Sequence, residues 1–377
     1  MADRIRVLHI ISDTNIGGAG HSLLNLLANY DRTRFDMEVA LPKGSLLTPK
    51  LQALDAPVIQ VEGIRDKSLD WRSIRVLKEI IRRETPQIVH THGAMSGRIA
   101  GRQAGAKVVF TRHCAFPVPS HLRKGPGRWL NKAVNEHYAD GIIAISPATA
   151  QTLTDGGIRP GLIHTMMNGV DPLTRKSPEE QAALRRQYQL KDGVFTMGIL
   201  ARLEPYKGHQ YVLEAAAALK KQGRAFQLLI GGAGSCEEEL QAMAQQLKVE
   251  DRVRFLGFIS DVSAFLSVLD VQINASCVTE TSSLSLLEGF SIGLPAVVSD
   301  FSGNPFLVER GENGLLFPNR DSQGLAQCLA RLMDEPDALH AMGSRAREIY
   351  EQRFTGEIFA RNVEAVYLRI LEGEKHE

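Results

Sequence analysis

The stretch that most constrains the fold runs from Val271 to Ser299. VQINA (Val271–Ala275) is an apolar run of strand length. Leu284, Leu287 and Phe290 follow at helical spacing, Gly293 and Pro295 stop the helix, and AVVS (Ala296–Ser299) reads as the next strand. Strand, loop, helix and strand in this order make a βαβ unit of a parallel sheet. Glu280 sits in the loop before the helix, and Glu288 lies eight residues further on, inside it. Thr281, Ser282 and Ser283 fall where the helix begins, so a hydroxyl cap and an anion site of free N–H groups are expected there. A carboxylate at a helix mouth and another along the helix suit a ligand with a phosphate in its middle and hydroxyls at both ends. On spacing alone the plainer reading, an exposed Glu280 and an ordinary surface Glu288, is favoured, because short motifs match by chance. The rest of the chain has to decide.

At 377 residues the chain is long enough for two α/β domains, and 44% hydrophobic with 23% charged residues suits a globular protein. Cys114, Cys236, Cys277 and Cys328 are far apart with no CxxC pair, which reads as reduced thiols in a cytoplasmic protein and speaks against a zinc site. MADRIRVLHII enters a strand pattern with no signal-peptide character, and no apolar run is long enough to span a bilayer. The net charge of +1 hides an asymmetry. Residues 1–172 carry 22 Lys+Arg against 15 Asp+Glu, a balance of +7, which leaves −6 for residues 173–377. A basic first half suits an anionic partner (a membrane surface, a phosphorylated acceptor or nucleic acid) as well as it suits a plain solvated face.

Along the chain, RVLHII (Arg6–Ile11) is the first expected strand. A glycine loop at Gly17-Gly18-Ala19-Gly20 follows, then a helix from about Ser22. Backbone N–H groups in such a loop can approach a phosphate or sugar closely. Leu23 stands where a dinucleotide fingerprint would place its third glycine, so a nicotinamide or flavin site is not expected. IVHTHG (Ile88–Gly93) and VVFTRH (Val108–His113) are strands ending in histidine. Ligands of open α/β sheets sit beyond the carboxyl ends of the strands, which puts His90, His92 and His113 near a cleft. With no third ligand obvious for His90 and His92, hydrogen bonding is the expected role rather than metal binding.

Residues 117–138 hold Arg123, Lys124, Arg128 and Lys132 beside Leu122, Trp129, Leu130 and Val134. This is either a surface helix for anionic lipid or a solvated helix with a buried Trp. The polar stretch from Pro172 to Lys191 reads as a linker and linker helix. A second strand–helix domain begins at VFTMGIL (Val194–Leu200), followed by Arg202-Leu203-Glu204-Pro205-Tyr206-Lys207-Gly208.

The order of these motifs resembles the retaining GT-B glycosyltransferases, specifically glycosyltransferase family 4 (glycosyl transferases group 1), over nearly the whole chain. The glycine loop matches at Gly17-Gly18, and the Arg-Leu…Lys-Gly loop at Arg202-Leu203 and Lys207-Gly208. The strand with its glycine turn matches at Gly231, Gly232 and Gly234, the glutamate pair at Glu280 and Glu288, and Asn-Gly-Leu-Leu-x-Pro at Asn313–Pro318. The resemblance implies an α/β protein of GT-B type, two Rossmann-like domains facing across a cleft. Expected bounds are 1–172 for an acceptor-side domain, 173–191 for a linker, 192–352 for a nucleotide-sugar domain and 353–377 for a helix returning to the first domain.

The same resemblance assigns roles. Arg202 and Lys207 would hold the donor diphosphate, and Glu280 the hydroxyls of the transferred sugar. Glu288 would bond the ribose, amides near Ser282, Ser283 and Leu284 would meet phosphate or sugar, and Gly17, Gly18 and Gly232 would line the nucleotide sugar. Phe258 would border the base. His113 would stand at the sugar, with His92 and His21 on the acceptor side. Three departures stand out: Thr281-Ser282 replaces a common Phe-Gly, Phe306 a common Glu, and Gly20-His21 a common Glu-Arg. The last leaves acceptor specificity open.

The implied reaction moves a hexose from a nucleotide-diphosphate sugar, UDP foremost, to an acceptor hydroxyl with retention, in polysaccharide or glycolipid biosynthesis. No Asp-x-Asp metal motif is present, so Arg202 and Lys207 would take the place of a metal ion, and no cofactor is expected. Partners would be the nucleotide sugar, a lipid-linked or sugar acceptor and an anionic membrane face, but no nucleic acid. A sugar-nucleotide 2-epimerase and a nucleotide-sugar-binding regulator are the alternatives.

Overall fold

In the computed structural model, which describes residues 4–64 and 68–373, the chain forms two compact units. One comprises residues up to Val170 together with Gly356 onward; the other is Asp171–Thr355.

The strands of the first unit are β1 (Ile5–Ile10), β2 (Phe35–Pro42), β3 (Val58–Val61), β4 (Ile88–Thr91), β5 (Lys107–Arg112), β6 (Gly141–Ala144) and β7 (Ile163–Thr165). They pair in parallel in the order β3-β2-β1-β4-β5-β6-β7. The second unit has β8 (Phe195–Leu200), β9 (Phe226–Gly231), β10 (Val253–Phe255), β11 (Val271–Asn274), β12 (Ala296–Ser299) and β13 (Gly314–Phe317), in the order β10-β9-β8-β11-β12-β13. Both orders reverse once, between β1 and β4 and between β8 and β11. The two strands flanking each reversal send their following loops in opposite directions, which opens a crevice at their carboxyl ends.

Apolar runs such as Val7–Leu8, Ile142–Ile143 and Val297–Val298 are fully buried, as parallel strands covered by helices on both faces must be. In the first unit, one face packs under the helices Gly18–Asn29 and Gly356–Glu372, through residues such as Leu23, Leu27, Phe359 and Val363. The other packs under Trp71–Glu84 and Met95–Ala104. The expected linker helix is present as Pro178–Gln187, opened by a capping box from Ser177 and Glu180. Two readings are adjusted. The glycine loop is shorter than expected, because Gly17 is already the N-cap and Gly18 the first residue of its helix. Trp129 is 71% exposed, so of the two readings of its helix the one with a buried Trp is excluded.

That helix, Gly125–His137, has no buried residue at all. Polar bonds hold it in place of an apolar face. The guanidinium of Arg98, itself buried, donates to Asn135 Oδ1 (2.9 Å), Asn135 O (2.8 Å) and Tyr138 O (3.1 Å), and stacks on Phe110. Arg102 donates to His137 O (2.9 Å) and Asn131 Nδ2 to Gly156 O (2.8 Å). Arg98→Met is therefore expected to cost about 2–4 kcal/mol by orphaning these acceptors. Amide exchange should quicken selectively across residues 125–137; unchanged exchange there would show that Arg98 does not anchor the helix.

Candidate active site

In the second unit, the loops after β8 and β11 meet where the strand order reverses. Gly208 has φ +72, and a Cβ on it would lie 2.0 Å from the carbonyl oxygen of Ala275. Only glycine lets the two loops touch. Cys277 N–H donates to Tyr206 O (2.9 Å), which seams them together.

Across this seam Lys207 Nζ donates to Glu280 Oε2 at 2.8 Å. Asn274 Nδ2 (3.1 Å) and Ser276 Oγ (2.8 Å) donate to the same oxygen, and Thr281 N–H to Oε1 (3.1 Å). Burial by itself would push this carboxyl up, but the Lys207 charge and the bonds from Lys207, Asn274 and Ser276 outweigh it and hold Glu280 at about 2. Its contribution to stability is thus present above the ordinary carboxyl value and is lost as pH falls towards 2. A third loop, after β12, closes over the seam. Ser302 Oγ (2.5 Å) and Gly303 N–H (3.2 Å) both donate to Glu280 O, and a Cβ on Gly303 would fall 1.6 Å from Thr281 O.

Arg202 is exposed beside this pair. It donates to the Tyr206 hydroxyl, and its guanidinium lies 5.7 Å from the centre of the Tyr206 ring. Lys207 Nζ is 5.8 Å from the same ring. Tyr206 therefore spaces the two cations, a role that the sequence reading did not assign to it. Gly232, at φ +132, turns the chain after β9 against the β8 loop, where a Cβ would meet Ala201 O at 1.9 Å. Phe258, after β10, is 81% exposed.

The helix after the seam spans Leu284–Ser291. The expected hydroxyl cap is absent. Ser283 is the N-cap residue, but its Oγ pairs with Ser285 Oγ (3.2 Å) and does not cap the first-turn amides. Those amides retain the donors that an anion needs. Glu288, one turn in, is half-buried, and its carboxylate has no hydrogen-bond partner among the described residues. Burial pushes it up to about 7.

In the first unit, Gly17 and Gly18 have neither a positive φ nor a close internal neighbour that would demand glycine. They are bare backbone at the end of β1. His21 is exposed one turn further on. His113, just past β5, is half-buried, and its Nε2 meets His92 Nδ1 at 3.0 Å. His92 is buried, and its other nitrogen meets His9 Nδ1 at 3.1 Å. The structure thus puts His92 one step behind His113, with both ring nitrogens spent on histidines. His90 is spent likewise, on the hydroxyls of Tyr367 (2.5 Å) and Thr111 (2.6 Å).

His9 escaped notice in the sequence because it sits inside the apolar strand RVLHII. Its in-register pairing with His90 brings a third histidine to the cluster. The nitrogens of His9, His90 and His92 lie within 4.8 Å of one another. Of their ring nitrogens only His9 Nε2 lacks a hydrogen-bond partner. A three-histidine metal site would have to break at least two of these bonds.

Residues 16–172 match the model of Glycosyltransferase Family 4, and residues 180–349 that of Glycosyl transferases group 1. EpsD of Bacillus subtilis (strain 168) is 30% identical over 289 residues, covering 73% of this chain and 74% of EpsD. An Escherichia coli UDP-Gal:alpha-D-GlcNAc-diphosphoundecaprenol alpha-1,3-galactosyltransferase is 27% identical, covering 91% of this chain and 92% of that enzyme. Among solved structures, Anabaena Alr3699/HepE in complex with UDP superposes with a TM-score of 0.83 at 22% identity, over 97% of this chain and all of that one. The matched models, the relative at this identity and coverage, and the two doubly wound parallel sheets agree: the chain belongs to glycosyltransferase family 4 and is a glycosyltransferase of GT-B fold.

Proposed function

We propose that the protein transfers a hexose from a UDP-sugar to an acceptor hydroxyl with retention of configuration and without a catalytic metal ion. The observation that carries this reading is the arrangement at the β8/β11 reversal. There a cation pair, a carboxylate held ionised by four donors, a helix start that its N-cap residue does not cap and a partnerless Glu288 share one rim. HepE is solved with UDP-glucose, and the Escherichia coli relative is named for a UDP-galactose donor and a lipid-diphosphate acceptor, which supports extending a UDP-sugar donor to this chain.

As the glycosidic bond breaks, negative charge gathers on the departing diphosphate. An ammonium has three donors, and Glu280 occupies only one of those on Lys207, so two remain for phosphate oxygens. Arg202, propped on Tyr206, adds a planar fork beside it. Both are in place before the charge develops, so reorganisation costs little during the reaction. Glu280 has a bonding position left on Oε1 for a sugar hydroxyl, since its three side-chain donors all sit on Oε2. Bare backbone at Gly17 and Gly18 admits an acceptor or phosphate closely.

The reading extends to an acceptor at a membrane face, which an exposed apolar and basic helix supports. Trp129 and Leu130 are exposed on the Gly125–His137 helix, beside exposed Arg123, Lys124 and Lys132. Among the described residues no helix is long and apolar enough to cross a membrane.

Three measurements test this reading. Arg202→Ala and Lys207→Met should each lower the transfer rate about 10²–10³-fold. The wild-type rate should survive EDTA. Loss of activity in EDTA restored by Mg²⁺ or Mn²⁺ would overturn the metal-free mechanism, and near-normal rates in both variants would overturn the assignment of the cations.

UDP-glucose binding should strengthen as pH rises from about 6 to 8. Ribose hydroxyls bond the ionised form of Glu288, whereas the free protein holds this carboxyl half protonated near pH 7. The diphosphate diester does not titrate in that range, so calorimetry across it reads Glu288 directly. Glu288→Gln should flatten the profile, and an unflattened profile removes Glu288 from the ribose.

Sedimentation with vesicles at low salt should show preference for phosphatidylglycerol over phosphatidylcholine, weakened by Trp129→Glu. Equal partition onto both vesicle types would dismiss the membrane face.

A further inference from the structure

Among the described residues, six that are not glycine have a positive φ. Asp55, Thr85, Gln189 and Lys248 follow the ends of the helices Thr48–Gln52, Trp71–Glu84, Pro178–Gln187 and Glu237–Gln246, where a left-handed turn is routine. Ser302 (φ +56) and Arg320 (φ +64) end no helix. They lie in the loops after β12 and β13, at the carboxyl ends of the sheet, and both reach back to the loop after β11.

A left-handed backbone brings the Cβ of an L-residue too close to a carbonyl oxygen, and glycine escapes that cost. If position 302 had only to turn the chain, glycine would do it better. What a serine adds is one hydroxyl. Ser302 Oγ donates to Glu280 O (2.5 Å) and accepts from Glu280 N–H (3.4 Å), so it holds both main-chain polar groups of that residue. The loops after β11 and β12 have other ties. Ser299 Oγ donates to Ser276 O (2.7 Å), and Gly303 N–H donates to Glu280 O (3.2 Å). The hydroxyl is therefore placed to orient a group rather than to join two loops.

That group is the peptide between Glu280 and Thr281. A trans peptide is planar, with its C=O and N–H pointing to opposite sides. Turning Glu280 O towards Ser302 thus fixes the direction of Thr281 N–H. This N–H donates to Glu280 Oε1 (3.1 Å), while Lys207, Asn274 and Ser276 all pin Oε2. The bonding position left on Oε1 is the one that Thr281 N–H does not take, so the tilt of the peptide decides where it points.

We propose that Ser302 is a positioning residue for transfer: its hydroxyl, held out by a left-handed backbone, orients the Glu280–Thr281 peptide and so aims the open position of Glu280 Oε1 at a hydroxyl of the transferred sugar. The sugar half of this statement rests on the reading that Glu280 faces that sugar. The peptide half does not.

The test compares full-length wild type with Ser302→Gly and Ser302→Ala by melting, by amide exchange and by calorimetry with UDP and with UDP-glucose. Both variants lose the hydroxyl, but only glycine also relieves the backbone, so Ser302→Gly should melt above Ser302→Ala. Exchange at Thr281 should quicken in both, while Cys277, whose N–H is bonded to Tyr206 O, keeps its wild-type rate. Both variants should bind UDP as wild type does and UDP-glucose about tenfold more weakly. A merely structural serine would not change the ratio of the two affinities. Unchanged Thr281 exchange overturns the proposal, and so does Ser302→Gly melting at or below Ser302→Ala. Glu280→Gln, measured alongside, separates the remaining failures. If it shifts the ratio and Ser302→Gly does not, Glu280 faces the sugar but Ser302 does not aim it, and the proposal falls alone. If neither shifts the ratio while Thr281 responds, the reading of Glu280 falls and the peptide half stands.

Discussion

The contact on which the site depends is the bond from Lys207 to buried Glu280. A carboxylate taken out of water costs several kcal/mol unless its lone pairs are met, and breaking a buried pair by removing one partner costs about 3–5 kcal/mol. Here four donors from two stretches of chain meet one carboxylate. The loops after β8 and β11 cannot part without uncovering it. Its own carbonyl is then bonded by Ser302 and Gly303, which ties in the loop after β12. One residue thus ties three loops together, two through its ionised side chain and the third through its carbonyl.

That bond exists because of strand order. Lys207 and Glu280 are 73 residues apart, and helices, β9 and β10 lie between them. Only the reversal between β8 and β11 brings their loops side by side. The first unit repeats the geometry with different chemistry. At its reversal stand bare glycine backbone after β1 and histidines after β4 and β5. Parallel sheets aim every strand's carboxyl end one way, so polar side chains collect at one rim while the opposite rim remains free to serve packing.

Much of this was legible. Fully buried parallel strands are uninterrupted apolar runs, and VQINA, AVVS and VFTMGIL declare themselves by length and by flanking glycine or proline. The glutamate pair and the Arg-Leu…Lys-Gly loop stand out by spacing. The rest depends on packing. Nothing in the sequence separates Glu280, saturated at about 2, from Glu288, partnerless at about 7, because their difference is three-dimensional burial and supply of donors. Ser283 sits where a cap belongs, yet its hydroxyl turns to Ser285. His9 is hidden in an apolar strand, and its relation to His92 rests on strand pairing across 83 residues. Tyr367, which braces His90, comes from the last helix, 277 residues away.

A row of imidazoles in a sheet core is an expensive way to fill space. Val or Ile at His9, His90 and His92 would pack as well and carry no polar atoms to satisfy. The arrangement limits its own cost by pairing nearly every nitrogen and by keeping each ring neutral. One unpaired nitrogen is left at each end, on His9 and on His113, and both are buried. Glu288 in the other unit is the opposite case, a half-buried carboxyl that no donor meets and that burial alone pushes up to about 7. The unmet capacity of Glu288 lies beyond the carboxyl end of β11, where ligands of doubly wound sheets bind.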